Sequence, residues 1–238
     1  MRDLVLEHLA TGATPLEVNV GVPGRDGVAL LPEVCCVVME ATDVHACIES
    51  ANRDALAAAL ALTPGTPLVN SVNGEEKSLQ TVLPMVKEYG AAVIGLTMDH
   101  DGIPSDSEVR LAIARKIVEH AAKPAISAED VVIDPLVLTV GADSKAGWVT
   151  LQTIELVRGE LGANVNLGAS NVTFGLPERQ TIDQAFLGLA IGAGASCAIT
   201  DLMRVGLIAQ ALGLLRGRDD LAGQYIKHYC RLLALEGE

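Results

Sequence analysis

Ala91-Ala92-Val93-Ile94-Gly95-Leu96-Thr97 is an apolar run that leads, through a polar loop, into Ser107–Ala121. The run is short and unbroken, as a strand buried on both faces of a sheet is. In the second stretch Val109, Ala112, Ile113, Ile117 and Val118 return at helical spacing on one predicted face. Its start, Ser105-Asp106-Ser107-Glu108, supplies capping side chains and first-turn acids. Strand then helix is the βα unit, and the same unit extends outward in both directions.

Seven apolar runs share this character: Pro15–Val20, Val44–Glu49, Pro67–Asn70, Ala91–Thr97, Val131–Leu136, Asn164–Ser170 and Ala195–Thr200. Helical periodicity lies between them. In Glu75–Tyr89, Leu79, Val82, Leu83 and Val86 form the apolar stripe opposite Glu76, Lys77, Gln80 and Lys87, and Pro84 predicts a kink or break. Ser144–Leu161, Thr181–Ala193, Met203–Leu214 and Asp219–Leu235 read as further helices. The alternation predicts an α/β fold with a parallel sheet, in one domain over residues 1–238. No G-x-G-x-x-G follows an early strand, so a dinucleotide fold has no fingerprint here. Gly192-Ala193-Gly194 follows a helix and reads as its C-terminal cap feeding a strand.

Composition narrows the function. Of 238 residues, 50% are hydrophobic and only 3% aromatic, so the core is aliphatic. The net charge of −13 leaves no basic footprint for nucleic acid. Five cysteines, with no C-x-x-C pair and no zinc-like Cys/His spacing, read as reduced intracellular thiols. The opening residues lack the apolar core of a signal peptide, and Gln184–Thr200 is too short and glycine-rich for a membrane span. These features predict a soluble, cytoplasmic protein.

In a parallel barrel the site lies at the C-terminal strand ends. Here those ends carry Asn19, Glu49, Asn70, Thr97, Asp134, Asn171 and Asp201. Singly, each such residue ends a strand or caps a helix. Together, three amides and three carboxylates at one mouth suit a flat heterocycle with amino, ring-nitrogen and carbonyl groups. No lysine or histidine ends a strand, and no G-x-S-x-G elbow occurs. His8, His45, His120 and His228 read as solvated or structural, while His100 lies in the loop after Thr97. The site therefore positions a reactive group for a cofactor or partner to attack.

At these positions the chain resembles the pterin-binding methyltransferases: the methyltetrahydrofolate:corrinoid/iron–sulfur protein methyltransferases and the folate domain of cobalamin-dependent methionine synthase. The resemblance rests on Leu16-Glu17-Val18-Asn19-Val20-Gly21, Val69-Asn70-Ser71, Ala92-Val93-Ile94-Gly95-Leu96-Thr97-Met98, Gly102-Ile103-Pro104, Ile133-Asp134-Pro135-Leu136 and Gly168-Ala169-Ser170-Asn171-Val172-Thr173-Phe174-Gly175-Leu176-Pro177. It runs from about Gly12 to Asp201.

The resemblance implies a TIM-type (β/α) barrel of the dihydropteroate synthase-like kind, and a homodimer. It implies methyl transfer between N5 of methyltetrahydrofolate and the cobalt of a corrinoid. No Asp-x-His-x-x-Gly motif occurs, so the cobalamin is expected on a separate partner protein. By the same resemblance Asn70 and Asp134 hydrogen-bond the pterin ring and Asn171 sits beside N5. Glu49 stands where the family has aspartate, Asn19 lies at the inner mouth, Ser170 joins the pterin-binding set, and Arg179 matches a family arginine that either supports the loop after Asn171 or meets an anionic part of folate. An asparagine at N5 stabilises the charge that develops there in the transition state. The family's opening strand has no match, leaving seven strands instead of eight. Two other readings stay open: a degenerate barrel that binds pterin without catalysis, and a dihydropteroate synthase.

Overall fold

The computed structural model describes residues 2–10, 12–21 and 27–236. After helix α1 (Arg2–Ala10), strands and helices alternate: β1 (Leu16–Asn19), α2 (Gly27–Ala41), β2 (Ala46–Glu49), α3 (Arg53–Leu62), β3 (Leu68–Asn73), α4 (Glu76–Glu88), β4 (Ala92–Leu96), α5 (Ser107–Ala122), β5 (Val131–Asp134), α6 (Ala146–Leu156), β6 (Asn164–Val165) and α7 (Arg179–Ala193). Two further helices follow, α8 (Leu202–Leu215) and α9 (Gly223–Glu236). Among the described residues no helix is long and apolar enough to cross a membrane.

All five strand pairings are parallel, and the spatial order β1-β2-β3-β4-β5-β6 follows the chain without reversal. A doubly wound sheet reverses direction at a switch point; a sheet that winds one way is barrel-type. The predicted seventh strand, Ala195–Thr200, is not a regular strand, but its backbone continues the winding through a few hydrogen bonds and one bridge. Ser196 N donates to Val165 O at 3.0 Å and Ile199 N to Leu167 O at 2.9 Å, and Gly168 and Ile199 form a parallel bridge. Among the described residues no strand pairs with the outer edge of β1.

Alternation along the strands separates two faces. Leu16, Val18, Ala46, Ile48, Val69, Val93, Val131, Ile133, Val165 and Leu167 join one apolar core with the helices. The residues between them face the other way, into the barrel. α5 lies close against the sheet because two glycines give it room. A Cβ on Gly95 would lie 2.9 Å from Ile117 Cγ2, and one on Gly74 2.7 Å from Ile113 Cγ2.

Three expectations need correction. The α5 stripe is rotated from the predicted face: Arg110, Leu111, Ile113, Ala114, Ile117 and Ala121 are buried, while Val109 is 49% exposed and Ala112 faces out. Burial against β4 and β5, with a buried arginine at its start, sets this rotation. α4 runs through Pro84, because the ring and the Gln80 carbonyl it leaves unpaired lie on the exposed side. The predicted strand Asn164–Ser170 is a regular strand only at Asn164–Val165, continues as isolated contacts to Gly168, and Ala169–Thr173 coils into a 3₁₀ turn.

Candidate functional site

The strand register builds the site. Asn19 pairs with Glu49, Glu49 with Asn70, and Asn70 with Ile94, so three of the expected residues stand in one row across β1, β2 and β3. A register shift between Asn70 and Val72 bends β3 just past this row. Asp134 pairs with Leu96, two residues further along β4 than Ile94.

Two inward residues that the strand-end pattern misses complete the inner face. Glu17 lies two positions before Asn19 on β1, and its Oε1 accepts from Asn70 Nδ2 at 3.0 Å. Its carboxyl also hydrogen-bonds Glu49; partial burial and then the Glu49 charge hold it above the usual carboxylate range. Asn166, two positions past Asn164, donates from Nδ2 to Asp134 Oδ2 at 2.9 Å. The signal for both is the period-2 alternation, Glu17-x-Asn19 and Asn164-x-Asn166, which places them on the same face as a recognisable polar neighbour.

Asp134 is the most constrained group. It is buried, and its Oδ1 accepts from Leu136 N at 2.8 Å. Burial pushes its carboxyl up to about 6, against the opposing pull of the Leu136 and Asn166 hydrogen bonds and the Arg110 charge. Leu136 has φ 60°, a left-handed conformation that costs a leucine about 1–2 kcal/mol. That turn aims its N–H back at the carboxylate, and the Thr150 hydroxyl donates to its carbonyl at 3.2 Å.

The thiols of Cys47 on β2 and Cys197 beside β6 are held up by burial, Cys197 to about 11, so neither is a thiolate at neutral pH. Thr97 is buried and its hydroxyl has no partner among the described residues. Asp201 stands directly before α8. His100 is exposed on its loop, 3.4 Å from Asp101.

Asn171 departs from its expected place. It is not a strand end but an exposed residue of the turn Ala169–Thr173, and the inner strand-end amide is Asn166. Its Nδ2 lies 2.8 Å from where a Gly168 Cβ would be, so the glycine leaves the space the amide occupies. Arg179 braces this turn: NH2 donates to Ser170 O at 2.9 Å and Nε to Thr173 Oγ1 at 3.0 Å. The buried Thr173 hydroxyl in turn donates to Asp183 at 2.7 Å. Ser170 takes part through its backbone carbonyl. The Asn19 side chain is engaged locally, accepting from Gly21 N at 2.7 Å.

The inner face thus offers three carboxyl groups and several amides, with no lysine, histidine or thiolate among the described residues there. It can accept hydrogen bonds from the N–H edge of a planar heterocycle, and burial lets Asp134 hold a proton up to about pH 6 while Glu17 is held above the usual carboxylate range.

Comparison with known proteins agrees with this architecture. The chain is 28% identical over 235 residues to the methylcorrinoid:tetrahydrofolate methyltransferase of Eubacterium limosum, covering 96% of this chain and 86% of that protein. It is 27% identical over 216 residues to the methionine synthase of Mycobacterium tuberculosis, covering 85% of this chain but only 18% of that longer protein. Among solved structures, dihydropteroate synthase of Thermus thermophilus superposes with a TM-score of 0.70 at 18% identity, covering 91% of this chain and 87% of that one. The Yersinia pestis dihydropteroate synthase gives 0.71 at 14% identity, covering 90% and 85%. At these identities the two structures establish the shared fold alone. A family profile described as pterin binding enzyme matches residues 3–201, and the chain belongs to that family.

Proposed function

We propose that this protein is a methyltransferase that moves a methyl group between N5 of tetrahydrofolate and the cobalt of a corrinoid carried by a partner protein. The observation that carries this reading is the inner face itself: fixed acceptors for a pterin edge, an exposed amide on a separate turn, and no protein nucleophile among the described residues. The likeness to the Eubacterium limosum methyltransferase, which covers most of both chains, supports the same reading.

The residues divide the work. The Asp134 carboxylate, held by Leu136 and Asn166, accepts from the ring's N–H groups and fixes its plane. Asn70, held by Glu17, reads a second edge, with Glu49 and Asn19 in the same row. Glu17 and Glu49 are close enough to share a proton that can follow charge at the ring. Asn171 hydrogen-bonds N5 and stabilises the charge that gathers there. Arg179 and Ser170 hold the turn that presents it. The corrinoid supplies the cobalt that gives or takes the methyl group.

The test is anaerobic methyl transfer between methyltetrahydrofolate and cob(I)alamin, followed by the cobalamin absorbance. Wild type is expected to transfer, and Asn171→Ala to lose about a hundredfold in rate with its unfolding midpoint unchanged. A collapse of the midpoint instead would make Asn171 structural. A second reading, a pterin-binding scaffold without catalysis, is favoured by the unpartnered edge of β1 among the described residues. Calorimetric binding of tetrahydrofolate without transfer, even with a corrinoid protein present, would select it. Neither binding nor transfer would overturn both.

A further inference from the structure

Among the described residues, one lysine or arginine side chain is buried: Arg110, at 1% exposure, on the first turn of α5. Nothing in the apolar periodicity marks it, although it stands on the buried stripe three, four and seven residues before Ile113, Ala114 and Ile117. Asp106 caps the helix by accepting from Glu108 N at 2.8 Å and Val109 N at 3.1 Å, which fixes where the turn begins. Arg110 then reaches across the strand ends. Its Nε donates to Pro104 O at 2.7 Å, and NH1 donates to Pro135 O at 2.7 Å and Leu136 O at 2.9 Å.

These contacts join the loop after β4 to the turn after β5. The turn holds the left-handed Leu136, whose N–H is one of the two donors on Asp134. Binding the carbonyls of Pro135 and Leu136 pins the N–H between them toward the carboxylate. We propose that Arg110 is a positioning residue that sets the orientation and proton affinity of Asp134 through the Pro135–Leu136 turn. This rests on Asp134 being part of the pterin site, but the device itself exists without ligand.

The charged and titratable groups facing Asp134 among the described residues are few. Arg110 comes from α5, and the Cys197 thiol from the segment beside β6. Asn166 just past β6, Leu96 on β4 and Thr150 on α6 carry no charge. Arg110 is thus the cation that favours the carboxylate, and its loss leaves burial unopposed by any charge.

Carbon-13 NMR of aspartate-labelled protein tests this without ligand, the Asp134 resonance being assigned by its loss in Asp134→Asn. In Arg110→Met the Asp134 midpoint is expected to rise by about one pH unit. In Arg110→Lys, which keeps the charge but cannot span three carbonyls, the midpoint stays near wild type while hydrogen exchange at the Leu136 amide quickens by about tenfold or more. An unmoved midpoint in a folded Arg110→Met, or unchanged Leu136 protection in Arg110→Lys, overturns the proposal. If Arg110→Met does not fold, the exchange result in Arg110→Lys decides alone.

Calorimetric titration with tetrahydrofolate adds the functional consequence. Below both midpoints, at about pH 5, Arg110→Met should bind about tenfold more weakly than wild type, since one unit of midpoint is a tenfold change in the ionised fraction. By about pH 8.5 both forms are ionised, and only the smaller loss caused by the freed Pro135–Leu136 turn should remain. A uniform loss at every pH would mark a structural role and count against the proposal. Failure of wild type to bind would sink the pterin reading and leave the NMR result on Arg110 intact.

Discussion

The two sides of the inner face solve the problem of a carboxylate in a barrel differently. On β1–β3, Glu17 and Glu49 stand together at an open edge, satisfied by Asn70 and, partly, by each other. On β5–β6, Asp134 is buried and its donors are fixed: Leu136 by a turn that Arg110 pins, and Asn166 by its place just past β6. A half-exposed pair relieves its repulsion by sharing a proton with help from water. A buried carboxylate has no such recourse, and needs donors held in place in advance. The contrast separates a side that adapts from a side that is preorganised.

The largest effect should come from the preorganised side. Asp134→Asn loses charge-assisted hydrogen bonds worth about 1.5–3 kcal/mol each, so tetrahydrofolate binding at pH 7 should fall about a hundredfold by calorimetry. Its stability should change in the opposite sense. A carboxyl raised from 3.8 to about 6 burdens the native state by up to about 3 kcal/mol above pH 6, and the burden disappears as pH falls toward 4 because the folded form binds the proton first. Urea midpoints should therefore favour Asp134→Asn at pH 7, with the advantage shrinking by about pH 4.5. An advantage constant with pH would break the claim that burial holds Asp134 up.

The adaptable side predicts a smaller loss. Glu17→Gln keeps an acceptor for Asn70 and removes one carboxyl from the pair, so binding should weaken about tenfold or less. The mutant should gain about 0.5 kcal/mol of stability at pH 8, where repulsion is greatest, and nothing at pH 4. A hundredfold loss would place Glu17 on a par with Asp134 and erase the difference between the two sides.

Smaller again is Arg179→Met. It unties the Asn171 turn from Ser170 and Thr173, so transfer should slow severalfold while tetrahydrofolate affinity stays within about twofold. Equal losses in both would mean that Arg179 meets the ligand directly. The smallest effect is Val109→Ser. Because Val109 is 49% exposed while its neighbour Arg110 is buried, stability in thermal unfolding should shift by less than about 0.5 kcal/mol. A core-sized loss would show that α5 is rotated back toward the face read from its sequence.

Much of this is open to sequence reading. The βα alternation, the strand ends Asn19, Glu49, Asn70 and Asp134, and the Gly194 cap are local patterns of period, turn chemistry and capping, which one chain segment carries by itself. The sequence also determined that amides and carboxylates, with no lysine or histidine, close most of the described strands. Three things waited for the tertiary structure. Glu17 and Asn166 matter because neighbouring strands place Asn70 and Asp134 within hydrogen-bond reach of them, and register is a relation between segments. Asn171 left the strand for a turn because the ladder ends at the Gly168–Ile199 bridge. Arg110, charged and therefore assigned to water by any periodicity rule, is buried because carbonyls from two distant loops converge on it. A segment can encode its own conformation and its apolar face; it cannot encode the partners that make burying a charge tolerable, and those exist only once the chain has folded.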